Sequence, residues 1–214
     1  KNPVELVRSA PSPYSYSYIN QHAARIAGLK IEARKSLAFI APQSAFKHLT
    51  LQASYTINRS KVEALSLPFG YNVQTRMPSQ DRPLFNQAPW TFDASLSYDN
   101  NLIGFFAFYN TSGPKTFISN TDPNFIEYEN GIAQLDMSLY IKCLKNKSRI
   151  TFNVLNLLNQ WHFNYVNPSA YKRTDSGYWK LVNGSVKYNP KDGDVITYRI
   201  KQGIHMNIGM TIDF

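Results

Sequence analysis

The sequence predicts an all-β fold, an antiparallel transmembrane β-barrel built from about eight strands in this chain. Three observations predict it. Apolar and polar residues alternate in segment after segment, as they do on a strand whose successive side chains point to opposite sides. No run of the 214 residues approaches the roughly 18 apolar residues of a membrane helix. The connectors between alternating segments come in two lengths, and membrane barrels have short turns at one end and long loops at the other.

Taken from the amino terminus, Pro3–Ser9 reads as part of a strand without a clear beginning. Ala27, Leu29, Ile31 and Ala33 then oppose Gly28, Lys30, Glu32 and Arg34. After a turn over 39–47 that contains Pro42, Leu49, Leu51, Ala53, Tyr55 and Ile57 oppose Thr50, Gln52, Ser54, Thr56 and Asn58. Phe92, Ala94, Leu96 and Tyr98 oppose Thr91, Asp93, Ser95 and Ser97; a tight Asp99-Asn-Asn101 turn leads into Leu102–Ile118, where Phe105-Phe106 blurs the pattern. Ala133 to Ile141 alternate with Gln134 to Lys142, and a polar Leu144–Lys147 connector leads to Ile150, Phe152 and Val154 within Ser148–Leu157. In the last segment Ile204, Met206, Ile208, Met210, Ile212 and Phe214 oppose His205, Asn207, Gly209, Thr211 and Asp213. That length matches the roughly 9–11 tilted residues of a membrane-crossing strand. Long connectors rich in Pro, Asn, Ser, Tyr and Asp fall at 10–22, 67–88, 119–130 and 159–193. If the final strand runs toward the periplasm, every long connector lies outside the cell. A period of two over nine or more residues is incompatible with a helical repeat.

Composition is compatible with this. Mean hydropathy is below zero, as in a barrel wall that needs apolar residues only at every second position, and 14 Tyr and 13 Phe suit aromatic girdles. The formal charge of +9 is spread along the chain without a dense basic tract or nucleic-acid motif, so nucleic acid is not expected, and contact with anionic lipid headgroups and an ordinary solvated surface both stay open. The single Cys143 excludes an internal disulfide and a Cys-based zinc site.

No catalytic signature is found. His22, His48, His162 and His205 have no close ligand spacing, and there is no nucleophile elbow and no phosphate-binding glycine loop. Asp192-Gly-Asp194 reads as a turn rather than a calcium loop. An enzyme, a cofactor and a metal are therefore not expected. Two groups of residues stand out. Trp161, His162, Tyr165 and Trp179 in the last long connector pair flat rings with polar atoms, as a sugar- or siderophore-binding rim would. Lys30, Glu32, Arg34, Asp136 and His205 occupy polar faces and are expected to point into the lumen.

Several runs resemble one family. Ala27-Gly-Leu-Lys-Ile-Glu-Ala-Arg34 is similar to the Gly-Leu-Glu-Ile-Glu-x-Arg strand of TonB-dependent outer-membrane receptors, and Arg82-Pro-Leu-x-x-Gln-Ala-Pro89 to the segment that re-enters their barrel. Phe108-Tyr-Asn-x-x-Gly113, Tyr128-Glu129, Leu135-Asp-Met-Ser138 and Asn153-Val-Leu-Asn-Leu-Leu-Asn159 follow in the family's order, and the chain ends on Phe214. The resemblance is closest to the Bacteroidetes type and spans essentially residues 1–214; where that type has Tyr-Glu-x-Pro-Arg, this chain has Tyr128-Glu-Asn-Gly-Ile132.

The resemblance implies a barrel of about 22 strands in the Gram-negative outer membrane, of which this chain is the carboxy-terminal part, without the plug domain. It implies nutrient uptake (siderophore, cobalamin, oligosaccharide or peptide), with TonB engaged through an amino-terminal region. It also implies outer-membrane lipid, a surface lipoprotein lid and the barrel-assembly machinery as partners, the last reading the strand that ends in Phe214. A self-contained small barrel acting as an adhesin or envelope anchor, and a secreted lectin-like sandwich, stay open on the residues alone.

Overall fold

The computed structural model describes residues 2–8, 16–66, 75–80, 82–120, 122–144, 147–175, 179–182 and 186–212. The strands in chain order are β1 (Val4–Arg8), β2 (Tyr16–Asn20), β3 (Ala23–Ser36), β4 (Leu49–Ser66), β5 (Thr75–Gln80), β6 (Trp90–Asp99), β7 (Ile103–Ser112) and β8 (Lys115–Ile118). They continue with β9 (Glu127–Glu129), β10 (Ala133–Cys143), β11 (Ser148–Leu155), β12 (Trp161–Val166), β13 (Tyr171–Arg173), β14 (Trp179–Leu181), β15 (Val195–Lys201) and β16 (His205–Ile212). The fold is all-β; the only helical pieces among the described residues are single 3-10 turns.

One long antiparallel sheet dominates, in the order β3-β4-β6-β7-β10-β11-β16, with β5 pairing the far end of β4. Its three tight connections all lie at one end, here the lower. Ser36 and Ser44 cap the two 3-10 turns between β3 and β4 by accepting from the Ala38 and Phe46 amides. Asn100 closes the β6–β7 turn, its Oδ1 accepting from the Leu102 and Ile103 amides at 2.8 and 2.7 Å. Leu144 turns the chain into β11 through a positive φ of 51°. The long connectors all rise from the upper end.

Register carries the alternation across the whole sheet. One rung reads Leu51, Leu96, Ala107, Met137, Val154 and Met206 from β4 to β16, and the next apolar rung includes Tyr98, Phe105, Leu139, Phe152 and Ile208. Phe105 thus belongs to the apolar side and Phe106 to the polar side, which resolves the blur in the sequence. Among the described residues no layer covers the apolar side. Met206, Ile208 and Met210 are 64%, 75% and 60% exposed, and Leu29, Ile31, Leu51, Ile57 and Ile150 are exposed as well.

A four-stranded sheet, β15-β12-β9-β8, stands on the upper end of β16-β11-β10-β7. Each long strand continues upward past a break. At Gly113-Pro114 the proline lacks the N–H that a ladder needs. Asn156 and Asn159 have positive φ, and so does Gly203 at 85°. A Cβ on Gly131 would overlap the Ser112 carbonyl oxygen, so the two strands approach there only because the residue is glycine. The compact core packs on one side of this upper sheet: Ile126, Tyr128, Tyr165, Ala170, Tyr171 and Val186, with Phe163 and Tyr188 against them.

The sheet is open among the described residues, β3 and β16 having no outer neighbour. Other expectations are corrected. The eight expected segments do not form one series, because β1 pairs with β2 outside the long sheet and the eighth place goes to β5. The segment Leu102–Ile118 is two strands divided at Gly113-Pro114, and the connector 159–193 holds β12, β13 and β14.

Candidate functional site

The polar side of the long sheet is bound together by side-chain hydrogen bonds. Glu32 accepts from Gln52 at 3.1 Å and pairs with Lys30 at 3.0 Å. Asp93 accepts from the Ser54 hydroxyl at 3.2 Å and from the Asn110 amide. Asp136 accepts from the Asn156 backbone N–H at 2.8 Å and from Gln134. The rung Arg34, Gln52, Ser95, Phe108, Asp136 crosses five strands on this side, and His205 lies two residues above Asn207, whose Oδ1 accepts from Asn153 at 2.8 Å. Lys30, Glu32, Arg34, Asp136 and His205 therefore do share one polar face.

Above it, β9 presents two carboxylates to the same side and Tyr128, between them, to the core. Glu127 accepts from Thr197 at 2.7 Å, from Asn164 at 3.3 Å and from Arg8 at 3.3 Å. Glu129 pairs with Lys115 at 3.2 Å and with His162 Nε2 at 3.1 Å. Two hollows share Glu129 and His162. One, of about 200 Å³, lies over the break between the sheets and is lined by amides including Asn110, Gln134, Gln160 and Gln202. The other, a trough of about 810 Å³, is walled by Leu6, Tyr16, Phe117 and Tyr198 beside Glu127. Amide donors and acceptors next to aromatic rings and charge-compensated carboxylates suit an uncharged, many-hydroxyl or peptide-like ligand; among the described residues no acid–histidine–cysteine group could hold a metal.

The wall of the trough is anchored by a buried ion pair. Arg82 reaches both oxygens of Glu5 at 2.9 and 2.7 Å, and Glu5 also accepts from Gln21 at 2.9 Å, Ser119 at 3.0 Å and the Phe85 N–H at 3.2 Å. Burial pushes the Glu5 carboxyl up, but the charge and hydrogen bonds of Arg82 outweigh it and hold the group below its ordinary range. Burial likewise opposes the charge of Arg82, and Glu5 more than offsets it. The β1 strand is thereby fixed beside β8, where the Ser119 N–H donates to the Leu6 carbonyl at 2.7 Å.

Of the residues expected in a binding loop, Trp161, His162 and Tyr165 lie on β12 rather than in a loop. His162 faces the hollows. Trp161 faces the other side, half-exposed, with the Arg199 guanidinium 3.7 Å from its ring. Tyr165 is wholly buried, its hydroxyl donating to the Val186 carbonyl, and burial, reinforced by Asp194, pushes its ionisation up. It is a core residue, and its place as a ligand contact is corrected. Trp179 begins β14, which pairs with β13; Phe214 lies outside the described residues. Asp192-Gly-Asp194 is the turn expected, with Gly193 at φ 85°. Sequence reasoning missed Glu127, Lys115, Arg8, Asn164 and the Glu5–Arg82 pair. The one signal was the acidic alternation Glu127-Tyr-Glu129. Comparison with protein-family models, with curated proteins and with solved structures returned no match.

Proposed function

We propose that this chain is part of the wall and outer mouth of a Gram-negative outer-membrane β-barrel, the carboxy-terminal part of a TonB-dependent receptor of the Bacteroidetes type that takes up a nutrient ligand. The observation that carries the reading is the uncovered apolar side of the long sheet. Removing one such side chain from water is worth roughly 1.5–3 kcal/mol, and strips of this extent mark a partner surface or a membrane. The strands have the right length for lipid: β6, β7 and β10 hold 10, 10 and 11 residues. At about 3.4 Å per residue and 45° of tilt, such strands cover the roughly 25 Å apolar band of a barrel.

In lipid the free edges of β3 and β16 need partners, because unpaired backbone groups cost several kcal/mol each in hydrocarbon. Further strands of the same ring supply them in this reading. The hydrogen-bonded polar side then faces the lumen and a plug domain, and the hollows around Glu129 and His162 stand at the outer mouth, where ligand is first met. Release inward follows when TonB, energised from the inner membrane, displaces the plug. The test is fractionation of the full-length gene product in a Gram-negative host. The reading requires outer-membrane sedimentation, resistance to carbonate extraction and heat-modifiable migration; a product that stays monomeric in buffer without detergent refutes it.

A further inference from the structure

Above the break at Gly203 the apolar side of the sheet meets one indole and two cations. Trp161 alternates with His162 along β12. His162 faces the hollows over the polar side, so Trp161 stands on the side that the apolar strip occupies below. Register sets Lys201 directly opposite Trp161, and Arg199 opposite Phe163, the next residue of β12 on that side. The Arg199 guanidinium lies 3.7 Å from the centre of the indole ring and the Lys201 ammonium 5.5 Å. The shorter separation is that of stacked planes, and stacking uses the flat faces of both groups while the N–H donors at the rim of the guanidinium stay available to an acceptor. Among the described residues neither cation has a carboxylate partner or a side-chain hydrogen bond. Both are exposed, and Trp161 is half-exposed beside them. Met206, the first residue of β16 on this side, is exposed below.

We infer that Trp161, Arg199 and Lys201 form a binding site for the phosphate of an anionic lipid whose acyl chains lie along Met206 and Ile208; the inference rests on the membrane reading above. The group supplies donors and positive charge and lacks an acceptor. A guanidinium edge matches phosphate oxygens in pairs, and the lysine ammonium adds a point charge beside it. Tryptophan suits this level because its ring meets hydrocarbon at one end and water at the other. The occupant is a lipid rather than a free anion because the site runs on without a covering layer, among the described residues, into side chains that offer contact only to hydrocarbon. Phosphate and acyl chain therefore meet the protein in the order in which a lipid presents them, and a free phosphate would use only the upper half.

The full-length gene product in neutral-detergent micelles tests this, titrated with phosphatidylglycerol or phosphatidylcholine whose acyl chains carry bromine, a short-range quencher of indole emission. The part of the emission that is lost in Trp161→Phe reports the site. Phosphatidylglycerol should quench that part and bind about 25-fold tighter than phosphatidylcholine, about fivefold for each cation. Inorganic phosphate at the same concentration should not compete. Arg199→Gln/Lys201→Gln should lose the preference, and Arg199→Lys should keep most of it. Lys201→Gln alone should lower it about fivefold, which covers the case of a double variant that does not assemble. Equal quenching by the two lipids, an undiminished preference in the charge-removing variants, or competition by inorganic phosphate overturns the site, while the need for detergent leaves the barrel standing. A protein stable in buffer without detergent overturns both.

Discussion

Replacing Arg82 with methionine should loosen the upper end of the chain while the long sheet keeps its register. Arg82 and Glu5 have no exposed side-chain surface, and the two hydrogen bonds between them are 2.9 and 2.7 Å. Removing one member of a buried pair costs about 3–5 kcal/mol, since the remaining charge stays in a medium that solvates it poorly. The three other donors to Glu5 (Gln21, Ser119 and the Phe85 N–H) soften this, which favours the lower end of that range. About 3 kcal/mol is a factor of more than a hundred in a local opening equilibrium. Hydrogen exchange followed by mass spectrometry should show it in β1, β2 and residues 116–119, with β10 and β11 unaffected.

Glu5→Leu/Arg82→Met should recover most of the loss, because an apolar pair can replace an ionic one. It should remain about 1 kcal/mol short of the wild type, because the Phe85 N–H loses its acceptor. The pH dependence follows from the depressed carboxyl. Its contribution is complete above the unfolded value near 4.3 and is lost as pH falls through the lower folded value. In Arg82→Met burial is opposed only by the remaining hydrogen bonds to Glu5, the folded value rises, and the variant should lose less protection on acidification than the wild type. Unchanged exchange in β1, or the same acid response in both proteins, refutes the clamp.

Three further outcomes are expected. Gly104→Ala places a Cβ against the ring of Tyr140, which hydrogen-bonds Asp99 at 2.7 Å; a loss of about 1–3 kcal/mol in urea unfolding of the reconstituted protein is expected, and it should shrink when Tyr140 is first made Leu. Ile208→Arg should cost about 2–4 kcal/mol and Asn207→Arg under 1 by the same assay, as for the lipid and lumenal sides of one strand; equal costs would contradict the assignment of faces. Phe214→Ser should lower outer-membrane yield without changing the amount synthesised, measured by immunoblot of fractions; normal assembly would remove the assembly role.

Faces were legible in the sequence and neighbours were not. Alternation identifies which residues share a side, so the strips through Leu51, Met137 and Met206 and the placing of Lys30, Glu32, Arg34 and Asp136 follow from periodicity. Even the nearby pairing of β1 with β2 was hidden, because the strand Tyr16–Asn20 lies within the stretch 10–22 that its composition marks as a long connector. Breaks are invisible to a pure period: Ile196, Tyr198 and Ile200 keep the even-numbered apolar phase of Ile204 to Ile212, so nothing in the alternation marks β15 as a strand of its own ending before Gly203. The core was read as a binding loop for a related reason. Tyr165 and Tyr188 sit amid polar residues, and only the packing of Ala170, Tyr171, Val186 and Tyr188 against β12 separates core aromatics from surface ones. The Glu5–Arg82 pair is separated by 77 positions, and no local pattern marks it.

The orientation of β16 can be measured one residue at a time. In a Cys143→Ser background, which removes the chain's single thiol, single cysteines at positions 205 to 210 carry a fluorophore in reconstituted bilayers and are challenged with a lipid-borne and a water-borne quencher. Positions 206, 208 and 210 should be quenched from the lipid and 205, 207 and 209 from water, in strict alternation. Protection of 206, 208 and 210 from both quenchers, as within a water-soluble core, or quenching of all six from water, would contradict a wall with one side in the bilayer.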